Sequence, residues 1–301
     1  MDAAKPKGRP LPVPGPGPVR EKQGLTPLLR IPSGVADFDA ITGGLPPGSV
    51  ILLMGDSGAG HTEFALTSAS RLTRAVEGTE EFYMGPFHGA TVLPTHVTYV
   101  SFTRSREQLL HEIRNSFPVY FPTFLSKHMA FVDLSSAYFA DSIVPPEWSR
   151  SRRSLLEGNS GPSPGVLPVL ATELENRGKN SLVVVDTLSD LLVRRSIEKE
   201  DVVTLVKGLR SRAKDWRGLI YLLSARHVTE PHIEEALKDS VDAVLDFAWV
   251  QSPHKSSRIR AMWIEKSMPL LSHVPPARQG RFVINVSDDG GLVTTQYERI
   301  D

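Results

Sequence analysis

Residues Ser49–Val76, SVILLMGDSGAGHTEFALTSASRLTRAV, constrain the fold more than any other stretch of the chain. Val50–Met54 is a continuous apolar run with β-branched residues, the signature of a strand buried on both faces of a parallel sheet. It runs directly into Gly55-Asp56-Ser57-Gly58-Ala59-Gly60-His61-Thr62. Beyond that turn, Phe64, Ala65, Ala69, Leu72 and Val76 recur at helical spacing. A strand that becomes a helix through a glycine-rich turn is the context a phosphate-binding loop requires. Glycines let backbone N–H groups face an anion, and the helix N-terminus adds partial positive charge.

The residues match the pattern G-x-x-x-x-G-K-[ST] at all but one place. Gly55, Gly60 and the Thr62 hydroxyl are in position, whereas the lysine that would reach the β/γ-phosphates is His61. The expected nucleotide-binding set is Gly55, Asp56, Ser57, Gly58, Ala59, Gly60, His61, Thr62 and Glu63. A charged contact to phosphate is worth about 1.5–3 kcal/mol, so its loss weakens binding by roughly ten- to a hundredfold. A neutral imidazole does not replace an ammonium.

Length and composition bound the rest. At 301 residues the chain accommodates one large α/β domain, with ordinary apolar (40%) and charged (23%) content for a globular protein. Cysteine is absent, which excludes disulfides, thiolate catalysis and cysteine-based metal sites. Lys+Arg and Asp+Glu both total 34, so no global field draws in nucleic acid. The expected compartment is the cytoplasm, because no apolar run reaches the ~18 residues of a membrane span and no signal-peptide core is evident at the N-terminus.

Residues 1–27 form a tail in which Pro6, Pro10, Pro12, Pro14, Pro16 and Pro18 alternate with small and basic residues, a composition expected to be disordered. A single domain is expected over 28–301, with mobile insertions near 77–96 and 135–165. Expected strands are Val97–Phe102, Met129–Leu134, Ser181–Asp186 and Gly218–Ser224. Expected helices are Ser105–Phe117, Val166–Arg177, Glu198–Trp216 and Glu234–Lys238. Four further strands, Val241–Trp249, Arg258–Glu265, Arg281–Val286 and Leu292–Thr295, follow without intervening helices. This order predicts an α/β fold: a mostly parallel central sheet flanked by helices, with a C-terminal antiparallel extension. Asp186, closing an apolar strand, is the expected Mg²⁺-shell carboxylate opposite Thr62.

Phe38-Asp39, Thr42-Gly43-Gly44-Leu45-Pro46-Pro47-Gly48-Ser49, the loop, SFTRSREQLL at Ser101–Leu110 and VVVDTLSDLL at Val183–Leu192 together resemble the KaiC/RadA-type branch of the RecA superfamily. Archaeal gas-vesicle-regulator and transducer-like proteins lie nearby in that group. The resemblance runs from Ile31 to the C-terminus. It implies a RecA-like core, ATP and Mg²⁺ as ligands, and a site completed by a neighbouring subunit or protein partner. Three departures accompany it. His61 replaces the loop lysine. Thr103 and Arg104 stand where the family has a pair of glutamates that activate water, and neither accepts a proton near neutral pH. The family's C-terminal Lys-x-Arg becomes Lys266-Ser267-Met268, which keeps the lysine only. Candidate phosphate sensors are therefore Arg104, Arg226 and Lys266, and no catalytic residue is expected. The reading is a regulatory or signalling nucleotide-binding protein with little or no hydrolysis. An active ATPase, or a recombinase-paralogue module on DNA, is the alternative.

Overall fold

The computed structural model describes residues 28–85, 89–117, 120–140, 142–145, 148, 165–252, 257–267, 280–287 and 290–299. The tail at 1–27 and most of 146–164 lie outside the described residues.

The apolar runs anticipated from sequence are the central strands: β2 (Ser49–Gly55), β4 (His96–Ser101), β5 (Met129–Asp133), β6 (Ser181–Asp186), β7 (Leu219–Ala225) and β8 (Ala243–Gln251). All six are parallel, in the order β8-β2-β7-β6-β4-β5. Strands β9 (Arg258–Ser267), β10 (Gly280–Ser287) and β11 (Gly291–Arg299) continue the sheet antiparallel beyond β8, giving nine strands. The fold class is therefore α/β, with a mostly parallel sheet and an antiparallel C-terminal extension. A separate two-stranded ribbon pairs β1 (Leu29–Arg30) with β3 (Ala90–Thr91).

Helices on both faces explain why β2 has no polar face. Val50, Leu52 and Met54 point to one layer, with Leu170 and Leu174 of α6 (Val166–Arg177), Leu188 and Leu191 of α7 (Leu188–Val193), Val202 and Val206 of α8 (Lys199–Trp216), and Ile233 and Leu237 of α9 (Pro231–Ser240). Ile51 and Leu53 point to the other. There they meet Phe38 of α1 (Ala36–Thr42), Phe64 and Ala69 of α2 (His61–Val76), Ile113 of α3 (Arg106–Ser116), and Phe121 and Leu125 of α4 (Tyr120–His128). The C-terminal hairpin adds Phe282, Ile284 and Leu292 to this second layer. Alternate residues of a strand face opposite sides of the sheet, so one continuous apolar run supplies both cores.

The 77–96 stretch, expected as a mobile insertion, is tied to the body among its described residues. Glu80 pairs with Arg74 at 2.8 Å, Met84 is buried, Phe82 packs on the core, and β3 pairs with β1. In the 135–165 stretch the described part begins with a short helix, α5 (Ser135–Phe139), whose Tyr138 packs against the first layer, that of Val50, Leu52 and Met54.

Candidate functional site

Parallel strands present all their carboxyl ends at one edge, and an open α/β sheet binds its ligands there. β2 leaves that edge at Gly55 and β6 at Asp186, with β7 between them. The register sets Asp186 level with Leu53, two residues before Gly55, so across two strand spacings Gly55 and Asp186 lie about 12 Å apart. The loop and the acidic strand end thus share one edge.

The loop is held at its Ser57 and Gly58 carbonyls and at the Asp56 and Ala59 amides, and leaves its other amides free. Trp249 Nε1 donates to the Ser57 carbonyl at 3.1 Å, and Arg260 Nε donates to the Gly58 carbonyl at 2.9 Å. The Arg260 guanidinium also lies over the Trp249 ring, 5.0 Å from its centroid. Asp56 N donates to the Phe247 carbonyl at 3.0 Å, and the Asp56 carboxylate accepts from Trp249 N at 3.3 Å. Among the described residues, the N–H groups of Ser57, Gly58, Gly60, His61 and Thr62 have no acceptor. Neither the Thr62 hydroxyl nor the Glu63 carboxylate has a partner there. Gly58 takes φ +70° with open space where a Cβ would stand. Gly60 takes φ +124°, a conformation that L side chains rarely adopt, so the backbone there demands glycine. Free amides converging at a helix N-terminus form an anion cradle.

His61 opens α2, and its ring packs near Phe247, 6.3 Å between centroids. Its Nδ1 is buried without a partner. Burial pushes the imidazole pKa down to about 4, with Asp56 opposing, so the ring is neutral at pH 7. No cation stands at the lysine position.

Asp186 is 6% exposed, and its carboxylate is already engaged. The Tyr99 hydroxyl donates to it, and Arg104 forms an ion pair with it. Arg104 also bonds Glu112 at 2.6 Å and lies 3.3 Å from the Tyr99 hydroxyl. Burial pushes the Tyr99 hydroxyl up to about 12, which keeps it a proton donor. The Thr103 hydroxyl lies 3.5 Å from the Asp190 carboxylate, whose pKa is raised, chiefly by burial. The residues suit the phosphates of a nucleotide. Mg²⁺ at Asp186 is a poor fit, because a guanidinium and a phenol both engage Oδ2, which balances the carboxylate's charge and leaves only Oδ1 to face the ion's water shell.

The three expected sensors separate. Arg104 is bound to Asp186 and Glu112, not directed at the loop as a substitute for lysine. Arg226 stands beside the loop: its N–H donates to the Gly55 carbonyl at 3.0 Å, and its guanidinium pairs with buried Asp246 and approaches Asp56 at 3.9 Å. Lys266 is remote. It pairs with Val244 near the start of β8, and its ammonium donates to the carbonyls of Lys238 and Asp239 at the end of α9. Reaching a neighbour's phosphate would require it to give up both. Sequence reasoning did not anticipate Tyr99, Glu112, Asp190, Trp249 or Arg260, whose roles come from contacts between distant segments.

No family model and no curated protein matches the chain. Among solved structures, a KaiC-like protein of the hyperthermophilic archaeon Pyrococcus horikoshii OT3 is similar with a TM-score of 0.58. The match covers 90% of this chain and 100% of that one, at 17% identity. Identity this low carries the fold alone. The chain has a KaiC-like, RecA-type fold.

Proposed function

We propose that this chain is a RecA/KaiC-like regulatory module that binds a nucleoside phosphate at Gly55–Glu63, weakly, and turns it over little or not at all. The observation that carries this reading is the loop itself: its Ser57 and Gly58 carbonyls are anchored by Trp249 and Arg260, and among the described residues the amides of Ser57, Gly58, Gly60, His61 and Thr62 have no acceptor. Anchoring of this kind preorganises donors for an anion, which lowers the cost of binding it. The resemblance makes ATP the expected ligand. Neutral His61 accounts for weak affinity, and Thr103 and Arg104 account for absent turnover, since neither accepts a proton from water. Self-association or a protein partner on the RecA-type face is the interaction this reading implies. The balance of 34 basic and 34 acidic residues does not favour nucleic acid. No helix among the described residues is long and apolar enough to cross a membrane.

Titration of the full chain with a fluorescent ATP analogue, alongside a phosphate-release assay, tests the reading. Saturable binding abolished by a bulky residue at Gly58, without phosphate release, is the expected result. Absence of binding refutes it.

One observation favours turnover instead. Asp190 is a carboxylate beside Thr103 whose pKa is raised by burial, the kind of group that can take a proton from water. Phosphate release that is lost in Asp190→Asn would establish that second reading.

A further inference from the structure

Arg104 is held in place before any ligand arrives. β4 ends at buried Ser101, whose hydroxyl accepts from Arg104 N at 3.1 Å. One residue later Ser105 caps α3: its hydroxyl accepts from Gln108 N, and the Gln108 side chain accepts from Ser105 N at 2.8 Å. Both ends of this short turn are therefore fixed, and the guanidinium is aimed at β6. There it meets Asp186, the neighbouring Tyr99 hydroxyl and Glu112. Tyr99 is fully buried, whereas the Arg104 side chain is 27% exposed, so the phenol is dry and the guanidinium arm keeps access to solvent.

A divalent cation held through a strand-end carboxylate needs that carboxylate to accept hydrogen bonds from the ion's waters. Here Oδ2 is engaged by both the Tyr99 hydroxyl and Arg104, leaving only Oδ1 for such waters, and a second cation at that place would be repelled by the first. The guanidinium has five N–H donors in a rigid fork and is charged at any working pH. With Glu112, Asp186 and Tyr99 bonded, two of the five N–H donors remain for phosphate oxygens.

We infer that Arg104 is a resident cation standing in for the divalent metal at Asp186, so that this chain binds nucleoside di- or triphosphate without Mg²⁺. The inference rests on the nucleotide-binding reading above and adds its metal requirement.

The test measures binding of a fluorescent ADP analogue to the full chain by anisotropy, in excess EDTA and in millimolar Mg²⁺. Wild-type affinity is expected to agree within about threefold between the two conditions. Arg104→Gln keeps a hydrogen-bonding side chain while removing the charge, and its affinity is expected to rise at least about tenfold when Mg²⁺ is added. Electron paramagnetic resonance of Mn²⁺ with ADP gives a readout independent of affinity: the variant should immobilise the ion more than wild type does. Wild-type binding that tightens beyond threefold with Mg²⁺ overturns the inference while leaving nucleotide binding intact. An Arg104→Gln protein as indifferent to metal as wild type also overturns it, because the indifference then has another source. Binding in neither condition removes the parent reading and this one with it. Should Arg104→Gln not fold, Arg104→Lys serves as the second variant, and the wild-type comparison decides alone if both fail. Lysine keeps the charge, so Arg104→Lys is expected to stay within about threefold in the two conditions, and a metal response in it overturns the stand-in role.

Discussion

Trp249 holds the phosphate loop from behind: its indole Nε1 donates to the Ser57 carbonyl at 3.1 Å across 192 residues of sequence. Its backbone N also donates to Asp56, and Arg260 covers its ring while donating to Gly58. The antiparallel extension of the sheet thus sets the direction in which the loop amides point. Trp249→Phe keeps most of the apolar contact and removes one neutral hydrogen bond, worth about 1 kcal/mol. We expect up to roughly fivefold weaker nucleotide binding, with a small drop in urea midpoint. Faster amide exchange at Ser57–Gly60 in the variant would locate the effect in the loop. Unchanged exchange and affinity would show that the tether does not matter.

His61→Lys should raise nucleotide affinity by at least about tenfold, because it returns a charge-assisted phosphate contact. Arg104 is engaged with Asp186 and Glu112, so the gain should not be masked by a cation already serving the loop. Equal affinities for wild type and variant, measured by calorimetry, would mean that another group, with Arg226 the nearest candidate, already supplies that charge.

The loop and the acidic strand end were legible in sequence because each is local. Val50–Met54 followed by a spaced glycine pattern, and Leu182–Val185 followed by Asp186, carry their geometry within a few residues. Helix α4 (Tyr120–His128) was not anticipated: two prolines, Pro118 and Pro122, interrupt the apolar spacing that would mark it. Pro122 falls in the first turn of the helix, where a missing N–H costs no intrahelical bond, and buried Phe121 and Leu125 then anchor it. The fate of Arg104 was equally hidden. Sequence placed it at a strand end beside the site, but its partners Asp186 and Glu112 are specified by sheet register (β4 beside β6) and by the capped start of α3.

Two buried groups should give opposing pH dependences of stability. Asp39 is 1% exposed, accepts from the N–H groups of Ser33 and Gly34, and is pushed up to about 7 by burial. Between an unfolded pKa of about 3.9 and that folded value, the native chain keeps a proton that the unfolded chain has released. Stability from Asp39 therefore falls as pH rises through this window. His61 is lowered to about 4, so the unfolded chain takes up a proton that the native chain refuses, and stability is lost as pH falls from about 6.5 to 4. Each contributes a slope of up to about 1.4 kcal/mol per pH unit, and the two offset each other between about pH 4 and 6.5. Relative to wild type, Asp39→Asn should make the urea midpoint rise more steeply with pH, and His61→Gln should make it fall. Profiles parallel to wild type would mean that neither group titrates as its burial implies.

Turnover is the sharpest test of the site. A hydrolytic RecA-type site needs a group after β4 that orients and deprotonates water, an effect worth roughly 10²–10⁴-fold in rate. Thr103 offers a hydroxyl hydrogen-bonded toward Asp190, and Arg104 offers charge without basicity. Wild-type protein at saturating ATP should therefore release phosphate no faster than a protein-free control. His61→Lys alone should tighten binding and leave that rate unchanged. Adding Thr103→Glu and Arg104→Glu supplies the missing carboxylates and removes the guanidinium from Asp186. Some turnover should then return when Mg²⁺ is present and assembly completes the site. Robust wild-type ATPase activity that disappears in Thr62→Ala would refute the non-hydrolysing reading. Its loss in Asp190→Asn as well would identify Asp190 as the proton acceptor, serving from α7 in place of the glutamates absent after β4.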